Sequence, residues 1–229
     1  MSQRQPIFNA PTVVVALACA FAAVHLGRLL LTEAADERVL QLLAFIPGRL
    51  GAHAAEFPGG RVAGITQLVT YTFLHGNLTH LLVNTAWFLA FATPVARRIG
   101  TPRFLALFVL CGIGGALLFL PFSAAPMVGA SGAISGLMGA ALRFLFLPMN
   151  DGDADALAGE TRPPLVPLSQ ALTDRRILAA VAGWTALNVL AARGAEAIFD
   201  DMSIAWEAHL GGFFTGFLTF GLFDRRAVR

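Results

Sequence analysis

Apolar runs of membrane-crossing length recur along this chain, at about residues 11–32, 78–96, 103–122, 131–147, 176–193 and 204–223. A helix needs roughly 20 such residues to cross a hydrocarbon core about 30 Å thick, because it rises about 1.5 Å per residue. Only 13% of the residues are charged and 56% are hydrophobic, whereas soluble domains carry roughly 25% charge. The pattern predicts an all-α polytopic membrane protein whose partner is the lipid bilayer, with all 229 residues in a single membrane domain. The first run is too long for a signal-peptide core and is preceded only by Arg4, so it reads as a retained span.

Two connections stand out. Residues 33–77 form a long first loop, in which "RVLQLLAFIPGRL" predicts a short amphipathic helix in the membrane interface, followed by a Pro/Gly-rich turn region, "EFPGGRVAG". Residues 148–175 form a polar loop containing "NDGDADALAGETRPP". Arg97, Arg98 and Arg103, then Arg175 and Arg176, then Arg225, Arg226 and Arg229 mark segment ends expected on the cytoplasmic side, which puts the 148–175 loop and both termini there.

Composition also removes some chemistry. All sixteen basic residues are arginine, so a lysine Schiff base is excluded. A net charge of +2, scattered over segment ends, gives no nucleic-acid footprint. Cys19 and Cys111 lie in separate apolar runs and read as packing residues.

Hydrogen-bonding side chains inside spans are costly and therefore point to function. His80 and Asn84 sit one turn apart in the second run, Ser131 opens the fourth, and His209 lies in the sixth. Spans of even number all begin on the outer side, so these four residues converge in its outer half. Two stripes of small residues run beside them: Gly132, Gly136 and Ala140, and Gly212 and Gly216 below His209. Small residues let helices approach closely, enough for the Ser131 hydroxyl to reach the His209 imidazole. A metal site from His75, His80 and His209 fits poorly, because residues five apart on a helix diverge and no carboxylate or thiol joins them at a usual spacing. No metal or cofactor is expected.

In order along the second, fourth and sixth runs, "HGNLTHLLVN", "GASGAISGLMGA" and "AHLGGFFTG" resemble the rhomboid family of intramembrane serine proteases, over about residues 64–223. The resemblance implies a six-transmembrane-helix rhomboid-like bundle, Ser131 as nucleophile and His209 as general base. It further implies His80 and Asn84 as oxyanion-stabilising groups, with His75, Gly129, Gly132 and Gly212 structural near the site. The expected substrates are single-span transmembrane proteins cut near the outer face, in a bacterial inner (plasma) membrane, with "GAEAIFDDMS" as a cap over the site. Asn77 or Thr79 is expected to cap the second span.

The chain departs from the family pattern at four positions. Thr66 and Gln67 stand where many relatives carry a Trp-Arg pair, Ala96 where an acid is frequent, and Ser135 where an aromatic residue packs on the histidine. Ser135 is also an alternative nucleophile, one turn deeper on the Ser131 face. Two other functions compete: a catalytically inactive rhomboid-like membrane protein that binds transmembrane helices, and a small-solute or metal transporter, for which no internal repeat is found.

Overall fold

The computed structural model describes residues 10–51, 54–145, 164–198 and 204–224. Apart from one isolated bridge between Phe45 and Met127, its regular structure is helical. The helices are α1 (Thr12–Arg28), α2 (Glu33–Leu43), α3 (Gly60–Thr70), α4 (Leu78–Ile99), α5 (Thr101–Phe119), α6 (Ser131–Leu145), the single turn α7 (Leu168–Ala171), α8 (Arg175–Ile198) and α9 (Trp206–Phe223). Arg4, Arg225, Arg226, Arg229 and most of the polar "NDGDADALAGETRPP" stretch lie outside the described residues.

Each of the six apolar runs is a helix, but not all are equally long. Among the described residues, α4, α5 and the Arg175–Gly194 part of α8 are long and apolar enough to cross a membrane by themselves. Helices α1 and α6 are apolar but shorter, and α9 dilutes its apolar content with Glu207, His209 and four glycines. Length and composition therefore carry three crossings rather than six. Helix α8 also runs past the expected end at 193, to Ile198, so the first part of the expected cap segment is helical. Residues 199–203 of that segment lie outside the described residues.

Helix α6 is the central element, buried on nearly every face, as expected for a helix without a polar side. Glycine makes this possible. A side chain at Gly212 would land on the Gly132 carbonyl, one at Gly216 on the Gly136 carbonyl, and one at Gly139 on the Phe213 carbonyl. Helices α6 and α9 thus meet backbone to backbone, and α5 closes on them in the same way: a Cβ at Gly115 would lie 2.8 Å from the Ala208 carbonyl. Within the remaining core, Phe21, Phe88, Phe104 and Phe108 pack together between α1, α4 and α5, among aliphatic side chains.

The C-terminal ends of α4, α6 and α9 share one end of the bundle. Arg98 pairs with buried Asp224 at 2.7 Å and lies over the Phe144 ring. Buried Arg143 donates to the Phe217 carbonyl at 2.7 Å and twice to the Val166 carbonyl, at 3.0 and 2.8 Å. At the opposite end, the Asn77 side chain accepts the His80 amide at 2.8 Å and caps α4.

The first loop differs from the sequence expectation in two ways. Its amphipathic helix is α2, over 33–43, and it stops before "AFIPGRL". Pro47 forces Ile46 into extended backbone, and a 3-10 turn follows. The segment expected to be a turn region leads instead into α3, which starts as soon as Gly59, at φ +80°, has reversed the chain.

Candidate active site

The site is assembled at the α6 N-terminus. Gly129 has φ +121°, and a side chain there would stand 2.7 Å from the His80 Nε2 and 3.7 Å from the Asn84 amide nitrogen. Its N–H donates to the Tyr71 carbonyl at 3.0 Å. The loop entering α6 is thus drawn flat against the two polar side chains of α4. Only glycine combines that backbone angle with that contact.

A cavity of about 750 Å³ opens here. It is lined by Ser131 and Ser135 of α6, His80 and Asn84 of α4, His209 of α9 and Asn188 of α8, with Trp87, Phe91, Met138 and Trp184 among its apolar walls. All four residues singled out at membrane depth therefore face one space. Ser131 and His209 are partly buried and Asn84 is buried. The nearness of Ser131 to His209 follows from the backbone: Gly132, next to Ser131, meets Gly212, three residues beyond His209. Among the described residues, no hydrogen bond joins the Ser131 hydroxyl to His209.

Two rings have defined partners. His80 Nδ1 accepts the Gly76 N–H at 3.4 Å, which leaves Nε2 to carry the proton on the side of Gly129. His209 Nδ1 lies 2.8 Å from Asn188 Oδ1, and the Asn188 amide donates to the Trp184 carbonyl at 2.9 Å. Asn188 is the site residue that the sequence reading missed. The criterion that found His80 and His209, a hydrogen-bonding side chain within an apolar run, also selects the asparagine in "WTALNVLAA".

His75 is not brought to the cavity. It precedes α4, is fully buried, and presents its ring edge-on to His80 with centroids 5.2 Å apart. Burial, together with the neighbouring His80 and His25, pushes its pKa down to about 4. Its carbonyl accepts from Arg28 at 2.9 Å, and Arg28 also grips Asp36 at 2.6 and 2.9 Å. The Arg28 hydrogen bond holds the Asp36 carboxyl below its ordinary range. The α1–α2 corner is thereby pinned to the chain that enters α4.

The family profile of the Rhomboid domain matches residues 63–226, well over half of the chain. The chain belongs to the rhomboid family. It is 41% identical over 76 residues to "Rhomboid protease GluP" of Bacillus subtilis, covering 33% of this chain and 15% of that protein. It is 35% identical over 82 residues to "RHOMBOID-like protein 4" of Arabidopsis thaliana, covering 35% of this chain and 21% of the relative. "RHOMBOID-like protein 6, mitochondrial" of the same plant is 35% identical over 77 residues, 33% of this chain and 25% of its own. The chain thus spans a quarter or less of these relatives' lengths.

Two of the departures from the rhomboid pattern, Gln67 and Ala96, have local explanations. In place of the Trp-Arg pair, fully buried Gln67 accepts the Ile46 N–H at 2.9 Å and Arg49 Nη1 at 3.1 Å, and donates to the Ile46 carbonyl at 3.3 Å. Buried Arg49 also donates to the carbonyls of Gln41 and Ala44. An arginine still staples the first loop, but it comes from a different segment. Ala96 is buried within the α4 core, where an acid would be unfavourable.

Proposed function

We propose that this rhomboid protein is an intramembrane serine endopeptidase that cuts single-span transmembrane proteins near the outer face of a bacterial inner membrane. In this reading α1, α4, α5, α6, α8 and α9 are six spans, with both termini cytoplasmic. The observation that carries it is the convergence of Ser131, His209, His80 and Asn84 on one cavity beside the close α6–α9 contact.

The chemistry follows from the residue types. The Ser131 hydroxyl oxygen attacks a peptide carbonyl carbon while the His209 imidazole takes its proton. The resulting oxyanion sits among donors at the α6 N-terminus: the Asn84 amide, the His80 Nε2–H and the Ser131 backbone N–H, with the helix dipole adding to them. Collapse of that intermediate breaks the C–N bond, and the imidazolium returns its proton to the leaving amine. Water then hydrolyses the acyl ester through the same base. An intact transmembrane helix hides its carbonyls in its own hydrogen bonds, so the favoured substrate segment is one that unwinds locally and carries small residues around the cut bond.

The test is cleavage of a fluorogenic transmembrane substrate in liposomes by wild type, Ser131→Ala and Ser135→Ala. Cutting that only Ser131→Ala abolishes supports the assignment. An inert wild type, or a Ser131→Ala protein that still cuts, sinks it.

A further inference from the structure

We infer that Asn188 of α8 is a positioning residue that fixes the tautomer and the orientation of His209. The inference rests on the peptidase reading for its consequence, though its geometry stands alone. The Asn188 amide nitrogen donates to the Trp184 carbonyl one turn earlier, at 2.9 Å, so the amide oxygen is the end turned toward α9. That oxygen lies 2.8 Å from His209 Nδ1 and can only accept. His209 Nδ1 must therefore carry the proton in the neutral ring. The lone pair is left on Nε2, the other ring nitrogen and the one free to accept a proton from a serine hydroxyl.

The bond is braced on both helices. Trp184 stacks on Phe213 with ring centroids 4.3 Å apart and planes 17° from parallel. Trp184 and Asn188 are one turn apart on α8, and His209 and Phe213 are one turn apart on α9, so an aromatic rung lies directly beside the polar one. The position four after Ser131, from which a ring could pack on the histidine, is held here by Ser135. Orientation from Ser135 would need a large side chain, so Asn188 supplies from α8 what α6 does not. The logic is that of a serine–histidine pair completed by a neutral hydrogen-bond acceptor, which sets the ring's tautomer without adding a charge.

The test combines kinetics with ¹⁵N NMR of histidine-labelled protein in lipid, the His209 signal being identified by its loss in His209→Ala. Wild type should show His209 protonated at Nδ1. Asn188→Leu, which removes the acceptor at similar volume, should lower kcat by about ten- to a hundredfold, the worth of one hydrogen bond to a group that becomes charged, with KM little changed and mixed tautomers. Asn188→Asp restores an acceptor and should recover most of kcat. A wild-type His209 protonated at Nε2, or an Asn188→Leu protein with wild-type kcat and unchanged melting temperature, would overturn the inference. A wild type that is inert yet protonated at Nδ1 would overturn the peptidase reading while upholding the role of Asn188 in setting the ring.

Discussion

The backbone contact between α6 and α9 makes Gly212→Ala a sharp test of how the site is held. The added methyl would land on the Gly132 carbonyl, so the two helices must separate locally or tilt. Overpacking of this kind costs about 1–3 kcal/mol. A displacement of about 1 Å between nucleophile and base is worth roughly a hundredfold in rate. Gly132 follows Ser131 and Gly212 is one turn beyond His209, so the strain falls where it spreads that pair. Gly216→Ala strikes the Gly136 carbonyl one turn lower and should cost similar stability with a smaller loss of activity. Gly183 and Gly194 on α8 provide the control, because nothing lies within 4 Å of a Cβ at either. Alanine there should be neutral or stabilising by about 0.5–1 kcal/mol. The assay is thermal unfolding in detergent beside cleavage of the fluorogenic substrate in liposomes. Wild-type stability and cleavage in Gly212→Ala would refute the close approach. Losses of activity that merely track melting temperature across Gly212→Ala and Gly216→Ala would refute the link to Ser131 and His209.

Gln67→Ala removes three hydrogen bonds and leaves buried Arg49 short of an acceptor, which should cost about 2–4 kcal/mol; Gln67→Glu keeps an acceptor and should lose less, as denaturant titration of both would show. His75, with its pKa pushed down to about 4 from an ordinary 6.5, is held neutral by the fold, so an unfolded chain binds the proton first. Its share of stability is complete above about pH 6.5 and is lost as the pH falls from there toward 4. Melting temperature measured across that window should flatten in His75→Leu relative to wild type, and an unchanged slope would count against this assignment.

The fold was legible wherever one local property decides an element. Six apolar runs became helices, because a helix pairs its backbone groups within the segment and leaves an apolar surface to pack. A cap at Asn77 or Thr79 was legible, since a side-chain acceptor before an apolar run has few other uses, and Asn77 is the one that fills it. The interfacial helix was placed too late because the amphipathic pattern of 33–43 continues into residues that Pro47 prevents from being helical. Helix α3 was hidden by the two glycines at its start, Gly59 before it and Gly60 as its first residue. They mark a turn, as read, but the turn is only its entrance. The glycine stripes, in contrast, needed no tertiary information. Their lack of side chain is itself the message that another backbone comes close.

The site divides along the same line. The candidate residues His80, Asn84, Ser131 and His209, which line one cavity, could be brought together from spacing and span parity. Pairings between distant segments were not legible: Asn188 meets the same residue-type criterion, but neither its contact with His209 nor that of Arg49 with Gln67 is encoded in any periodicity. The contact of Arg49 involves Gln67, a departure from the rhomboid pattern, and that of Asn188 lies on the cavity that Ser135, another departure, also lines. A missing Trp-Arg pair is matched by an arginine from the 3-10 turn, and a missing aromatic residue by an amide from α8. A departure read position by position looks like a lost function. In three dimensions what must be kept is the bond, a donor for the loop or an acceptor for the imidazole, and any element whose Cβ points to the right volume can supply it.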